Sequence, residues 1–238
     1  MKMRMIAMAA GILLVCTLAA CGGGGGGEPP TAQQQAAPPK PRPVLIDAQG
    51  DSTTLGAERV GTAYRQAPDN EPATVQAILQ SKLGPTVTVE NHGVSGSLIS
   101  QRLNGTAPYT APYVPGPAQI VVANWALNEA FNPNIETPDQ FRQYLVQFVN
   151  DVRAAGKIVV LEEPNPSTQT MSLGPYVAAI DSVAIQLNVP VIKQYDYILS
   201  LPNWQSMLSD GTHPTNELYK IKAQRQADVL EPIVRSLQ

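Results

Sequence analysis

Five short apolar runs rich in β-branched residues, at 44–48, 87–89, 120–123, 158–161 and 189–192, constrain the fold of this chain more than any other feature. Each has the length of a strand, and the segments between them carry apolar residues at helical period. Val75, Ile78, Leu79 and Leu83 line one helical face, with Pro72 near its first turn and Gly84 as its terminator. Thr137-Pro138-Asp139-Gln140 forms a capping-box pattern ahead of the stripe Phe141, Tyr144, Leu145, Phe148, Val149 and Val152, which stops before Gly156. Further helices are expected over 177–187 and 218–237. Strands and helices alternating in this way predict an α/β domain in which a five-stranded parallel sheet is covered on both faces, a three-layer α/β/α sandwich. In such a sheet ligands collect at the carboxyl ends of the strands, so the residues directly after each strand are the candidates for chemistry.

The segment before the first strand has a different character. Lys2 and Arg4 precede an apolar run over 6–20 that is short for a membrane span, the pattern of a secretory signal. Leu18-Ala19-Ala20-Cys21 resembles the lipobox of bacterial lipoproteins, which implies cleavage after residue 20 and lipidation of Cys21. Cleavage there removes Cys16 and leaves one cysteine, so no intrachain disulfide is expected. Gly22 lacks the Asp associated with inner-membrane retention, which favours the outer membrane. Six glycines at 22–27 and the prolines of 29–43 make 21–42 a tether, typically about 25 Å and at most about 65 Å long. The folded domain is expected over 43–238. A net charge of -3 gives no basic face for nucleic acid.

Only two histidines, His92 and His213, are available to any mechanism that needs an imidazole. Gly50-Asp51-Ser52 follows the first strand; the glycine permits a tight turn that exposes the serine hydroxyl, although a serine there could equally cap a helix. Asp210-Gly211-Thr212-His213 precedes the final helix, and its carboxylate can turn back onto one ring nitrogen and leave the other for a serine. An Asp-Gly turn with an incidental histidine is the plainer alternative. Together the two blocks resemble the SGNH (GDSL-type) hydrolase family, whose serine lies near the start of the domain and whose Asp-x-x-His lies near its end. The middle blocks extend the resemblance. Gly96, in Asn91-His92-Gly93-Val94-Ser95-Gly96, matches the glycine whose N–H serves the oxyanion hole, and Asn128 matches the asparagine that donates to the same oxygen. Asn124 is an alternative alignment, but Asn128 falls just past the strand end. Where the family pattern is Gly-x-Asn-Asp this chain has Ala126 and Glu129, and Thr53 replaces a leucine.

The resemblance implies a flavodoxin-like SGNH fold and a carboxylic ester hydrolase with Ser52, His213 and Asp210 as triad and Ser52, Gly96 and Asn128 as oxyanion hole, needing neither metal nor cofactor. The expected substrates are short-acyl esters on cell-envelope or extracellular carbohydrate. Lipid or lysophospholipid esters, acyl transfer, and a non-catalytic binding lipoprotein are the alternatives. His92 has no carboxylate at comparable spacing and reads as a loop residue. Glu162-Glu163 could serve glycosidic chemistry but reads more simply as a solvated strand end, and Trp125 and Trp204 as core.

Overall fold

The computed structural model describes residues 40–238; the leader over 1–20, the lipidation site Cys21 and the tether up to residue 39 lie outside the described residues. In chain order the first elements are β1 (Val44–Gly50), α1 (Ser52–Leu55), β2 (Ala57–Val60), β3 (Ala63–Gln66), α2 (Glu71–Leu83), β4 (Val87–Gly93) and α3 (Ile99–Asn104). They are followed by β5 (Ile120–Asn124), α4 (Leu127–Phe131), α5 (Pro138–Ala154), β6 (Ile158–Glu162), α6 (Gly174–Leu187), β7 (Val191–Ile192), α7 (Tyr195–Ser200) and α8 (Asn216–Leu237). Five strands form one parallel sheet in the order β4-β1-β5-β6-β7, with β1 paired to both β4 and β5. The order reverses beside β1, the switch point at which doubly wound sheets build their sites.

Alternation along the strands divides the core into two layers. Val121, Ala123, Val159 and Leu161 face α5 and α6, where Phe141, Leu145, Phe148 and Val149 are buried. Ile46, Ile120, Val122 and Val160 face the other way, onto Val75 and Leu79 of α2 and Ala223, Ala227, Leu230 and Val234 of α8. The start of α5 is set by its capping box: Thr137 Oγ1 accepts from Gln140 N at 3.3 Å, and Gln140 Oε1 accepts from Thr137 N at 2.9 Å.

Two features depart from the sequence expectation. An antiparallel hairpin, β2–β3, follows α1 at a place where no strand is expected. It is held by tertiary contacts more than by its own pattern: Glu58 accepts from Arg65 at 2.9 Å and, through its other oxygen, from Asn216 N at 2.9 Å. Glu162 and Glu163 are not a solvated strand end. Both are buried, because Gln194 and Gln226 donate to Glu162 while Lys193 and the Tyr195 N–H satisfy Glu163. Behind them the fully buried Lys222 pairs with Glu71 at 2.7 Å. Buried carboxylates are tolerated only when such partners replace water.

Candidate active site

Ser52 begins α1, but it does not cap the helix. Asp51 does so, its Oδ1 accepting from Thr53 N at 2.8 Å and Thr53 Oγ1 at 2.9 Å, which leaves the Ser52 hydroxyl free. Gly50 is required immediately before: a Cβ there would overlap Thr54 Oγ1 and the Asn124 carbonyl. The turn is fastened on both sides, by Asp51 N donating to Asn124 O and Val94 N to Gly50 O.

Ser52 Oγ lies 2.8 Å from His213 Nε2 across 161 positions of sequence. The imidazole Nδ1 donates to Asp210 Oδ2 at 2.7 Å. The other carboxylate oxygen accepts from Thr212 N at 3.0 Å and His213 N at 2.8 Å, so the short loop wraps around the carboxylate and aims it at the ring. Burial would raise the Asp210 pKa, but the His213 N–H, the imidazole, the Tyr64 hydroxyl and the Thr212 N–H together hold it down to about 2.

Tyr64, from the unexpected hairpin, carries no signal in the sequence. Its hydroxyl donates to Asp210 Oδ2 at 2.7 Å, and its ring meets His213 edge to face with centroids 5.5 Å apart. That hydrogen bond keeps the Tyr64 phenol above its usual pKa, so it remains a donor.

Asn128, in the first turn of α4, lines the same cleft of about 380 Å³ as Ser52, Asp210 and His213. Its Nδ2 donates to Ser97 O at 3.1 Å and makes a longer contact of 3.4 Å with Asp51 Oδ2. Asn124, by contrast, is buried at the end of β5 and does not border the cleft. Gly96, the other expected oxyanion donor, does not line the cleft: it is exposed, in the Val94-to-Ser97 turn closed by Ser97 N donating to Val94 O, and its φ of 74° lies in the left-handed region. The two departures around Asn128 acquire physical reasons. Ala126 holds a φ of 138°, a conformation suited to the glycine it replaces. Glu129 is fully buried and accepts from Ile99 N at 2.9 Å, tying the start of α3 to α4; burial and the nearby Glu136 push its pKa well above the ordinary range. Trp125 is core, as expected, and donates to Ser97 Oγ.

His92 stands apart from the cleft. Its Nδ1 donates to Asp47 Oδ1 at 2.8 Å, a carboxylate supplied by the neighbouring strand where none is visible at short spacing. Among the described residues no three His, Cys, Asp or Glu side chains converge as a metal site.

Comparisons with known proteins agree with this architecture. The sequence pattern of the GDSL-like Lipase/Acylhydrolase family matches residues 48–221. No curated protein sequence matches the chain. Among solved structures, a lipase/acylhydrolase from Enterococcus faecalis is similar at a TM-score of 0.60 and 20% identity, over 80% of this chain and 96% of that one. An acetylxylan esterase from Geobacillus stearothermophilus is similar at 0.57 and 16% identity, over 80% of this chain and 95% of that one. The acetyl xylan esterase AlAXEase is similar at 0.62 and 14% identity, over 79% of this chain and all 100% of the other. At these identities the structural likenesses speak for the fold. The family match spans most of the chain, and the protein therefore belongs to the GDSL-like lipase/acylhydrolase family and is a carboxylic ester hydrolase of the SGNH type.

Proposed function

We propose that Ser52, His213 and Asp210 are the triad of a serine esterase that removes short acyl groups from carbohydrate of the cell envelope or its surroundings, tethered there through a lipidated Cys21. His213 Nε2 takes the Ser52 proton as Oγ attacks the ester carbonyl. Asp210 holds Nδ1–H and stabilises the imidazolium that forms. The tetrahedral oxygen is met by the Ser52 N–H, unpartnered in the first turn of its helix, and by the Asn128 amide, which exchanges its long contact with Asp51 for the oxyanion. The Gly96 N–H is the third donor in this reading, by the family resemblance alone, since its turn does not line the cleft. His213 then returns the proton to the departing alcohol, and water repeats the sequence on the acyl-enzyme.

The hydrogen-bonded line from Ser52 through His213 to Asp210 is the observation that carries this reading. The short-acyl preference is supported by the cleft, whose walls include Arg59, Tyr64, Gln169 and Thr212, with Leu127 and Phe131 as its apolar members. Two apolar side chains cover little of a long acyl chain. The acetylxylan esterases of similar fold support a carbohydrate ester, and the lipobox supports an envelope location. Turnover of p-nitrophenyl esters from acetate to palmitate tests it: kcat/KM should peak at acetate or butyrate and vanish in Ser52→Ala. A peak at long chains would make the protein a lipid esterase.

A further inference from the structure

The β2–β3 hairpin carries two arginines, and only one of them is neutralised. Its register sets Glu58 opposite Arg65 and Arg59 opposite Tyr64. Residues directly opposite in an antiparallel pair share a face, so Glu58 and Arg65 occupy one side of the hairpin and Arg59 and Tyr64 the other. Arg65 pairs with Glu58 at 2.9 Å. Arg59 has no such partner. Its backbone N donates to Ser209 Oγ at 3.0 Å and its Nε to Gly61 O at 3.2 Å, while its guanidinium makes no ion pair among the described residues.

Tyr64 fixes where that charge sits. Its hydroxyl is bonded to Asp210 and its ring edge meets His213, so the face it shares with Arg59 is turned to the cleft, and Arg59 lines that cleft together with Ser52 and His213. The Asp210 hydrogen bond raises the Tyr64 pKa and the Arg59 charge opposes the rise, as expected of a guanidinium close to the phenol. Asp210 is the other charged residue of the lining, but its side chain is only 7% exposed and its oxygens already accept from Tyr64, Thr212 and, twice, His213. Arg59 is exposed and keeps donors to spare.

The cleft has two sides. Leu127, Asn128 and Phe131 all belong to α4, whereas Arg59, Tyr64, Gln169 and Thr212 stand with the loop of His213, Gln169 being tied to it by donating to Asp210 O at 3.0 Å. In the ester hydrolysis proposed above, the leaving alcohol receives its proton from His213 Nε2 and so departs on the imidazole side, while the carbonyl oxygen turns toward Asn128. The alcohol half therefore meets Arg59. We propose that Arg59 is a specificity-determining residue that binds an anionic group, carboxylate or phosphate, on the alcohol half of the ester, so that the substrate is an acylated acidic sugar. The planar guanidinium fork matches either anion with two parallel hydrogen bonds. A neutral polyol would be served by Gln169 and Thr212 and would leave that charge unanswered. This assignment deepens the esterase reading and rests on it.

Three methyl glycosides test it, each with one acetyl group placed at each ring hydroxyl in turn and differing only at the exocyclic carbon: a glucoside, a glucuronide and a glucoside phosphorylated there. Wild-type kcat/KM, read as acetate release, should favour at least one anionic isomer over its neutral counterpart by about 3–10-fold, chiefly through KM. That preference should shrink as ionic strength rises from about 0.01 M to about 1 M. The glucuronide and phosphate arms show which anion the site takes. In Arg59→Gln the ratio of anionic to neutral rates should fall to about one, and Arg59→Lys should keep part of it. Each ratio is taken within one protein, so a general loss of activity leaves it readable. Equal rates for every wild-type pair, or a preference unchanged in folded Arg59→Gln, would overturn the assignment. p-Nitrophenyl acetate carries no anion and reports on Ser52 separately: Ser52-dependent turnover of it without any anionic preference sinks the role of Arg59 alone, whereas no turnover of any ester overturns the esterase reading and this one with it.

Discussion

Removing the Tyr64 hydroxyl probes the part of the site that no sequence motif announces. Asp210 Oδ2 receives two short hydrogen bonds, one from His213 Nδ1 and one from Tyr64, each of 2.7 Å. A hydrogen bond to a charged group typically contributes about 1.5–3 kcal/mol. Tyr64, however, is 59% exposed, so water can replace its hydroxyl, and three protein donors remain on the carboxylate. The net loss should then be about 0.5–1.5 kcal/mol, which corresponds to a fall in kcat of about 2–12-fold. Because the donor stabilises the charged carboxylate, Tyr64→Phe should also raise the Asp210 pKa from about 2 toward its ordinary value. A depressed carboxylate stabilises the fold above its unfolded pKa and loses that effect as pH falls through the folded one, so acid unfolding should move to higher pH. Tyr64→Ala also loses the edge contact with His213, for about 0.5–1.5 kcal/mol more. The assay is kcat and KM for p-nitrophenyl acetate across pH, alongside acid unfolding followed by circular dichroism. A Tyr64→Phe enzyme identical to wild type in both would refute the positioning role, and a loss beyond 100-fold would mean the hydroxyl takes part in the chemistry itself.

Three further outcomes follow from single contacts. Ala126→Gly relieves a φ of 138° and should raise stability by about 1 kcal/mol in urea unfolding; a loss would mean the methyl's packing outweighs the strain. Burial and Glu136 raise the Glu129 pKa in the fold, so its contribution is full below its unfolded pKa and is lost as pH rises through the folded one. Glu129→Gln should therefore flatten the decline of Tm between pH 5 and 9, and an unchanged decline would contradict the assignment. Cys21→Ser should shift the protein from membrane to soluble fractions and abolish incorporation of labelled fatty acid; retention in the membrane would sink the lipid anchor.

Much of the architecture is legible in the sequence because the central strands are buried on both faces and so read as continuous β-branched runs. Likewise α5 and α8 are long enough for their stripes to repeat. The hairpin Ala57–Val60 with Ala63–Gln66 is not legible, since its residues are largely exposed and its hold comes from Glu58, whose partners lie elsewhere in the chain. Short helices such as α3, α4 and α7 complete too few turns to show a period. Ser52, Asp210 and His213 stand out because tight turns impose local constraints on sequence. Tyr64 and the Asp47–His92 pair depend on which strands become neighbours, information that spacing along one chain does not carry. The same holds for Glu162 and Glu163, whose burial is decided by Gln194, Gln226 and Lys193.

A fluorophosphonate labelling experiment on the intact protein, read by peptide mass spectrometry, addresses the central claim most directly. One equivalent of probe should attach to Ser52, labelling should disappear in Ser52→Ala, and it should slow by several orders of magnitude in His213→Ala. Stoichiometric labelling at another serine, or none in a folded protein that still hydrolyses p-nitrophenyl acetate, would show that the hydroxyl beside His213 is not the nucleophile.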